Sequence, residues 1–405
     1  MIGLVGVILI VAVLIHLYLW KRLVRDPLRR GAARRLGGLA IIVLAVLIPA
    51  TLIGTRTGKA EWLAWPGFIW LAVMFYLLVA LVILEVPRLI ITIIRRARHA
   101  GTTGRRARPD EGQAGNAEQT GNAKGAENPA TPGIDRRLLL SRGAAIMAGL
   151  TAASVTGYGV KTALGPPRLD RVQLPLTKLP RALDGTRLAV VSDIHLGPLT
   201  GANHVRRIVD LINSTNPDIV CVVGDLVDGS VAELGHFAEP LADLRARNGS
   251  YFVTGNHEYY SGFQQWVDEV ARLGVRPLRN ERVELGGLDL AGVNDLGGVN
   301  FGDGPDFARA LGDRDPARPV VLMAHQPVVA HQAARYGVDL QVSGHTHGGQ
   351  MVPFNLVVRL QQPVVSGFGR VDGVPVYVTN GAGFWGPPVR VGAPPQVTVI
   401  DLRTP

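Results

Sequence analysis

Cysteine is nearly absent. The 405 residues hold one, Cys221, which excludes an intrachain disulfide framework and a thiolate metal cage. It lies in the apolar run Ile219 to Val223 and reads as a small core residue. Charge is missing from three long stretches. Ile2 to Trp20 has none beyond what His16 can carry, and Leu36 to Thr55 and Trp62 to Leu84 have none at all. Each is long enough to cross the hydrocarbon core as a helix. Buried helices of a soluble domain rarely come as three such runs in a row. Residues 100–133 lack every aromatic, Ile, Leu and Val, and their composition is that of a disordered linker.

What is present is unevenly placed. The chain is 47% hydrophobic with mean hydropathy +0.21, high for a wholly soluble protein. Residues 1–165 carry 21 Lys+Arg against 8 Asp+Glu, a net +13. Residues 166–405 carry 21 against 24, a net −3. A basic excess can mark nucleic-acid binding. Here it flanks apolar segments while the larger part is slightly acidic, so no nucleic-acid partner is expected. Basic loops instead orient membrane spans. Residues 21–35 hold seven basic residues and one acidic, which places that loop in the cytoplasm. The short 56–61 loop fits the outside. The arginines at 95–108 and at 136, 137 and 142 return the chain to the cytoplasmic side.

Residues 1–99 therefore read as a transmembrane region with spans at about 2–20, 36–55 and 62–84. Residues 134–165 carry two open readings. Gly143 to Val160 can be a fourth, weaker span. Alternatively Asp135-Arg136-Arg137-Leu138-Leu139-Leu140-Ser141 resembles a twin-arginine export signal set inside the chain. It departs from that signal in its internal position and in Leu where Phe is common. Either way residues 166–405 emerge on the extracytoplasmic side, after Gly165-Pro166-Pro167. The predicted location is the cell membrane, multi-pass, with the bilayer as partner.

Residues 166–405 repeat one device. Arg187 to Ser192 reads as a buried strand that ends in Asp193-Ile194-His195. A helical stretch, Asn203 to Ser214, shows Val205, Ile208, Val209 and Ile212 on one face. The strand Ile219 to Val223 ends in Gly224-Asp225-Leu226-Val227-Asp228. Tyr251 to Thr254 ends in Gly255-Asn256-His257-Glu258, and Val320 to Met323 ends in Ala324-His325. Leu340 to Val342 ends in Gly344-His345-Thr346-His347-Gly348-Gly349-Gln350. In an extended segment His345 and His347 would point to one side. Open α/β sheets bind ligands at the carboxyl ends of their strands. Five of the ten histidines sit in these endings. The others (His16, His99, His204, His236, His331) read as surface or satisfied core. Oxygen and imidazole donors without sulfur favour Mn, Fe or Zn. Seven candidate ligands exceed one metal with an open position and suit two metals about 4 Å apart sharing a carboxylate.

These motifs, in this order, resemble the calcineurin-like metallophosphoesterase superfamily. Asp193-Ile194-His195-Leu196-Gly197, Gly255-Asn256-His257-Glu258-Tyr259-Tyr260, Ser343 to Gln350 with Pro353-Phe354, and Gly381 to Arg390 resemble its membrane-associated bacterial branch. The resemblance covers about residues 170–402. It implies an α/β fold, a two-sheet metallophosphoesterase sandwich flanked by helices, here preceded by an all-α transmembrane region of about four helices. It implies that Asp193, His195 and His347 hold one divalent ion, that Asn256, His325 and His345 hold a second, and that Asp225 bridges them. It implies His257 as the catalytic group that stabilises developing charge and protonates the leaving oxygen, with Asp228 orienting it. Glu258 stands where many relatives carry Asp and is expected to support the site from behind. The glycine- and acid-rich Gly297 to Asp306 stretch reads as a surface loop. Phe384-Trp385 reads first as a core-packed corner and second as a substrate or membrane contact.

The expected function is a membrane-anchored hydrolase of phosphoric ester bonds. An activated hydroxide would attack a phosphodiester or pyrophosphate-type bond, with a lipid-linked or envelope substrate suiting the tether. A phosphomonoesterase with the same site, or a non-catalytic metal-binding sensor, are the alternatives. Loss of His257 or of a ligand would have favoured the sensor, and none is lost.

Overall fold

The structure, a computed structural model, describes residues 2–103 and 136–405. Most of the expected linker lies outside the described residues, and a helix runs through its first four residues to Thr103. The chain packs as two units, drawn from residues 1–46 with 73–154 and from residues 47–72 with 155–405.

Four long helices precede the sheets: α1 (Ile2–Leu19), α2 (Ala32–Arg56), α3 (Ala64–Thr103) and α4 (Arg136–Leu164). Among the described residues, Ala32–Arg56, Glu61–Pro87 and Leu138–Leu164 are long and apolar enough to cross a membrane. Arg136 to Ser141 is already helical and continuous with the apolar run that follows. Large apolar side chains such as Leu14, Ile42, Val46, Ile83, Ile146 and Leu150 point outward. Such a surface is stable only when something apolar covers it. In the first unit the Tyr18 hydroxyl donates to Glu85 at 2.6 Å, and Arg22 pairs with the same carboxylate. Tyr18 lies in the last turn of α1 and Glu85 near the end of the apolar segment Glu61–Pro87, where charge remains tolerable.

The second unit is a two-sheet sandwich. Its strands are β1 (Arg168–Pro175), β2 (Arg187–Val191), β3 (Ile219–Val223), β4 (Ser250–Val253), β5 (Arg276–Pro277) and β6 (Glu281–Leu285). They continue with β7 (Leu288–Gly292), β8 (Val320–Met323), β9 (Leu340–Ser343), β10 (Gly367–Val371), β11 (Val374–Val378) and β12 (Gln396–Arg403). One sheet runs β1-β12-β2-β3-β4-β5, the other β10-β11-β9-β8-β7-β6. Strands β2 to β5 are parallel, as are β7, β8, β9 and β11.

Alternation explains why these strands look apolar throughout. Leu188 and Val190 face Leu290, Val321 and Val342 between the sheets. Ala189 and Val191 face the opposite way, onto α5 (Ala202–Ser214) through Val205 and Ile208. Ala291, Val320 and Val376 do the same on the outer side of the second sheet. Strands covered on both faces carry no polar face in their sequence. Cys221 lies in the inter-sheet core with no exposure, as expected. Two parallel runs thus present their carboxyl ends together, and all five predicted strand endings lie there.

One expectation needs correction. His345 and His347 are not in an extended segment. Their φ values are 70° and 51°, and His347–Gly349 forms a 3-10 turn. The two rings therefore part instead of sharing one side.

Candidate metal centre

Strained backbone marks the site. Asp193, His195, Asp225, His345 and His347 all adopt positive φ, between 48° and 70°. Non-glycine residues rarely sit there, and such strain concentrates at functional sites. The glycines beside them are required by close packing. A Cβ on Gly255 would lie 2.2 Å from Asp225 Oδ1, and one on Gly344 would lie 1.9 Å from Ser192 Oγ.

Three clusters result. Asp193, His195 and His347 form one, and Asp225, His325 and His345 form a second. His195, Asp228 and His257 form a third that shares His195 with the first. His195 Nε2 stands 3.0 Å from His347 Nε2, and His325 Nε2 stands 3.2 Å from His345 Nδ1. The partners behind each ring set which nitrogen faces inward. His195 Nδ1 bonds Asp228 at 2.8 Å, and His325 Nδ1 donates to the Val223 carbonyl at 2.8 Å. Both rings then offer Nε2 lone pairs to the interior. Asp225 Oδ2 lies 3.1 Å from His325 Nε2 and 3.9 Å from His195 Nε2, between the two clusters. Its Oδ1 accepts the His257 backbone N–H at 2.9 Å.

The electrostatics ask for positive charge. Burial raises the Asp193 carboxyl above its ordinary range, against the pull of His325. Burial also opposes ionisation of Asp225, but His325 outweighs it and holds that carboxyl low. Burial would lower the His325 imidazole, yet Asp225 and Asp193 draw a proton to it and raise it well above normal. Burial and His325 push His345 down to about 3, so its lone pair is free. Asn256 Oδ1 is buried with no hydrogen-bond partner. An orphaned carbonyl beside converging imidazoles and a carboxylate fits a divalent cation.

His257 is built differently. It is only half-buried, and its Nδ1 bonds Asp228 at 2.7 Å, so Nε2 faces the centre 4.0 Å from Asp225 Oδ2. Burial lowers its pKa, but the Asp228 hydrogen bond and the Asp225 charge override this and raise it to about 9. Burial likewise opposes ionisation of Asp228, while His195 and His257 bring its pKa down to about 2.

Comparisons with known proteins identify the family of this domain. Residues 186–349 match the calcineurin-like phosphoesterase family. A transmembrane protein with metallophosphoesterase domain from Danio rerio is 38% identical over 272 residues, covering 64% of this chain and 62% of that protein. An uncharacterized metallophosphoesterase from Helicobacter pylori is 36% identical, over 62% of this chain and 68% of its own length. One from Aquifex aeolicus is 35% identical, over 58% of this chain and 92% of its own. The chain belongs to the calcineurin-like phosphoesterase family. Its match spans less than two thirds of the Danio rerio and Bos taurus relatives, 62% and 64% of their lengths.

Two buried charged residues, Glu258 and Arg390, hold the loops of the site. Glu258 is fully buried and accepts the backbone N–H of Gly255, Asp225 (3.0 Å) and Leu226 (2.7 Å). It ties two ligand loops together. Glu258→Ala is expected to lower unfolding stability by about 3 kcal/mol, since three buried donors lose their acceptor. That corresponds to a melting temperature about 6–12 °C lower, read by thermal unfolding.

Arg390 is also fully buried. Its guanidinium donates to the His347 carbonyl (2.8 Å), the Asn380 carbonyl (3.0 Å) and His347 Nδ1 (3.1 Å). The sequence placed Arg390 at the end of the Gly381 to Arg390 motif, and the fold supplies its partners. Arg390→Leu is expected to weaken metal affinity by about 10- to 100-fold, as loss of such supporting contacts does. Metal titration of the purified protein checks it.

The Phe384-Trp385 pair splits. Phe384 is buried, while Trp385 is exposed with its ring 6.3 Å from that of His257. Tyr260 is exposed 5.7 Å from the same imidazole. The Gly297 to Asp306 stretch lies at the surface, with Val299 and Phe301 exposed. It begins as a 3-10 turn, Leu296–Phe301, and Asp303 accepts the Tyr259 hydroxyl at 2.8 Å. Of the remaining histidines, His331 pairs with Asp372 on the surface, but His204 is buried with Nε2 unpartnered.

Proposed function

We propose that this protein is a membrane-anchored, two-metal phosphohydrolase with an extracytoplasmic catalytic domain. It cleaves phosphodiester or pyrophosphate-type bonds of a lipid-linked or envelope substrate. The observation that carries the reading is the convergence of two ligand clusters on Asp225, with Asn256 Oδ1 orphaned beside them and His257 at the open edge. Asp193, His195 and His347 would hold one ion. Asn256, His325 and His345 would hold the other, and Asp225 would serve both. Mn, Fe and Zn suit these donors. When bound, the two ions clamp phosphoryl oxygens and supply a nucleophile at neutral pH.

The chain's own residues do the rest. Asp228 fixes the His257 ring through Nδ1, which leaves Nε2–H to donate to a phosphoryl or leaving oxygen. Its raised pKa keeps that proton available at neutral pH. The same Asp228 oxygen holds His195, so one carboxylate aligns a metal-binding ring and a proton donor. Trp385 and Tyr260 flank the donor as apolar walls.

Two observations support the extracytoplasmic side. The turn at Gly58, in the loop that basic-residue counts put outside, abuts Glu233, at the start of α6 (Val231–Ala238) in the catalytic domain. Residues 21–35, on the other side of the span Ala32–Arg56, carry the basic excess.

The test is hydrolysis by the full chain in detergent, with a chromogenic phosphodiester and the matching monoester, before and after chelation. Metal-dependent turnover with the diester preferred is the expected result. Monoester preference would replace the diester reading. Absence of turnover on any phosphoester, lipid-linked pyrophosphates included, would refute the hydrolase.

A further inference from the structure

We propose that the acid-free stretch Val352–Phe368, together with Trp385, rests on the bilayer surface beside the catalytic centre. The occupant of this face is a lipid headgroup layer. The inference rests on the reading of Leu138–Leu164 as a membrane span, and goes beyond it.

The face is unusual for water. Leu360 is 83% exposed, and Leu356, Val357, Phe368 and Trp385 each exceed half exposure. A patch of this kind marks an interaction site. Its charge is one-signed. Leu340 through Val371 contains no Asp or Glu, but it does contain Arg359 and Arg370. Among the described residues no carboxylate pairs with either arginine. Apolar side chains interleaved with arginine suit an anionic lipid surface. A protein partner with an acidic rim would satisfy the charges, but the next observation favours the membrane.

The face is continuous with the point where the chain leaves the bilayer. The Gly159 carbonyl, near the end of α4, accepts the Arg390 backbone N–H at 2.9 Å. A Cβ on Gly159 would lie 2.4 Å from Val389, so helix and loop touch closely. The next residue, Val391, accepts the Val352 N–H at 3.1 Å and so leads straight into the exposed stretch. A second link lies at Gly386, after Trp385. A Cβ there would meet the Phe68 ring at 3.8 Å, in the first turns of the span Glu61–Pro87. Trp62 and Trp65 are exposed in the same turns, where aromatic anchors of a headgroup belt belong. The exposed stretch follows directly on the ligand loop that ends at Gln350, and Trp385 neighbours His257. Substrate phosphorus would thus meet the centre at headgroup depth.

The test uses the full chain in vesicles of anionic phospholipid. Cys221 is fully buried, so a single introduced thiol labels selectively. An environment-sensitive fluorophore is placed at Leu356→Cys, Leu360→Cys, Ile146→Cys and Asp313→Cys, and brominated lipid is the quencher. Ile146 faces outward on the span, and Asp313 is an exposed polar site. The expected result is a blue shift and strong quenching at 356, 360 and 146, with neither at 313. Quenching at 146 alone would overturn the proposal while leaving the membrane anchor intact. A blue shift at 356 and 360 without lipid quenching would overturn it in favour of a second copy or protein partner. No quenching at 146 would overturn the anchor and the proposal together.

Discussion

Asp225→Asn is expected to abolish turnover, with kcat/KM falling by at least about a thousandfold, or about 4 kcal/mol of transition-state stabilisation. The side chain keeps its size but loses the charge that both ligand clusters share. Its Oδ1 still accepts the His257 N–H, so the loop is held and folding is retained. The loss falls on metal retention as well as rate. Metal analysis of the purified variant should show fewer equivalents than the parent. A variant that keeps full metal content and activity would remove Asp225 from its central position.

His257→Ala is expected to separate binding from chemistry. The ring is in neither ligand set and is half-buried, so its removal leaves metal content unchanged. Loss of the proton donor should lower kcat by about 100- to 10,000-fold. The pH profile gives a second readout. In the cation-free chain His257 holds its proton up to about pH 9. Its acid form is the active one, so rate is retained below that pKa and falls as pH rises through it. Bound cations repel the imidazolium and shift this alkaline limb toward neutral pH. The variant should lose the limb altogether. A substrate with a good leaving group, which needs no proton, should rescue part of the rate.

Much of the site was legible because its physics is local. Strands covered on both faces must read as apolar runs, so Arg187–Val191, Ile219–Val223 and Val320–Met323 stood out. Donor residues at their carboxyl ends then had one common place to go. Edge strands were not legible. Strand β1 is exposed or half-exposed at all but one residue and ends at Pro175, and β5 has two residues, so neither carries a clear pattern. Backbone strain was also hidden. The pair His345 and His347 reads as extended by spacing, but the left-handed φ at each sends the rings to different clusters. The partners of the buried charges were hidden for another reason. Glu258 was expected behind the site and Arg390 closed a family-like motif, but only the folded loops supply the backbone groups they bond.

The measurement that reaches the central claim most directly is manganese titration followed by electron paramagnetic resonance on the full-length protein. Two equivalents bound with an exchange-coupled signal, collapsing to uncoupled manganese in Asp225→Asn, is the result predicted by a shared carboxylate between two clusters. One equivalent, or two that remain uncoupled in the parent, would contradict a two-metal centre built on Asp225.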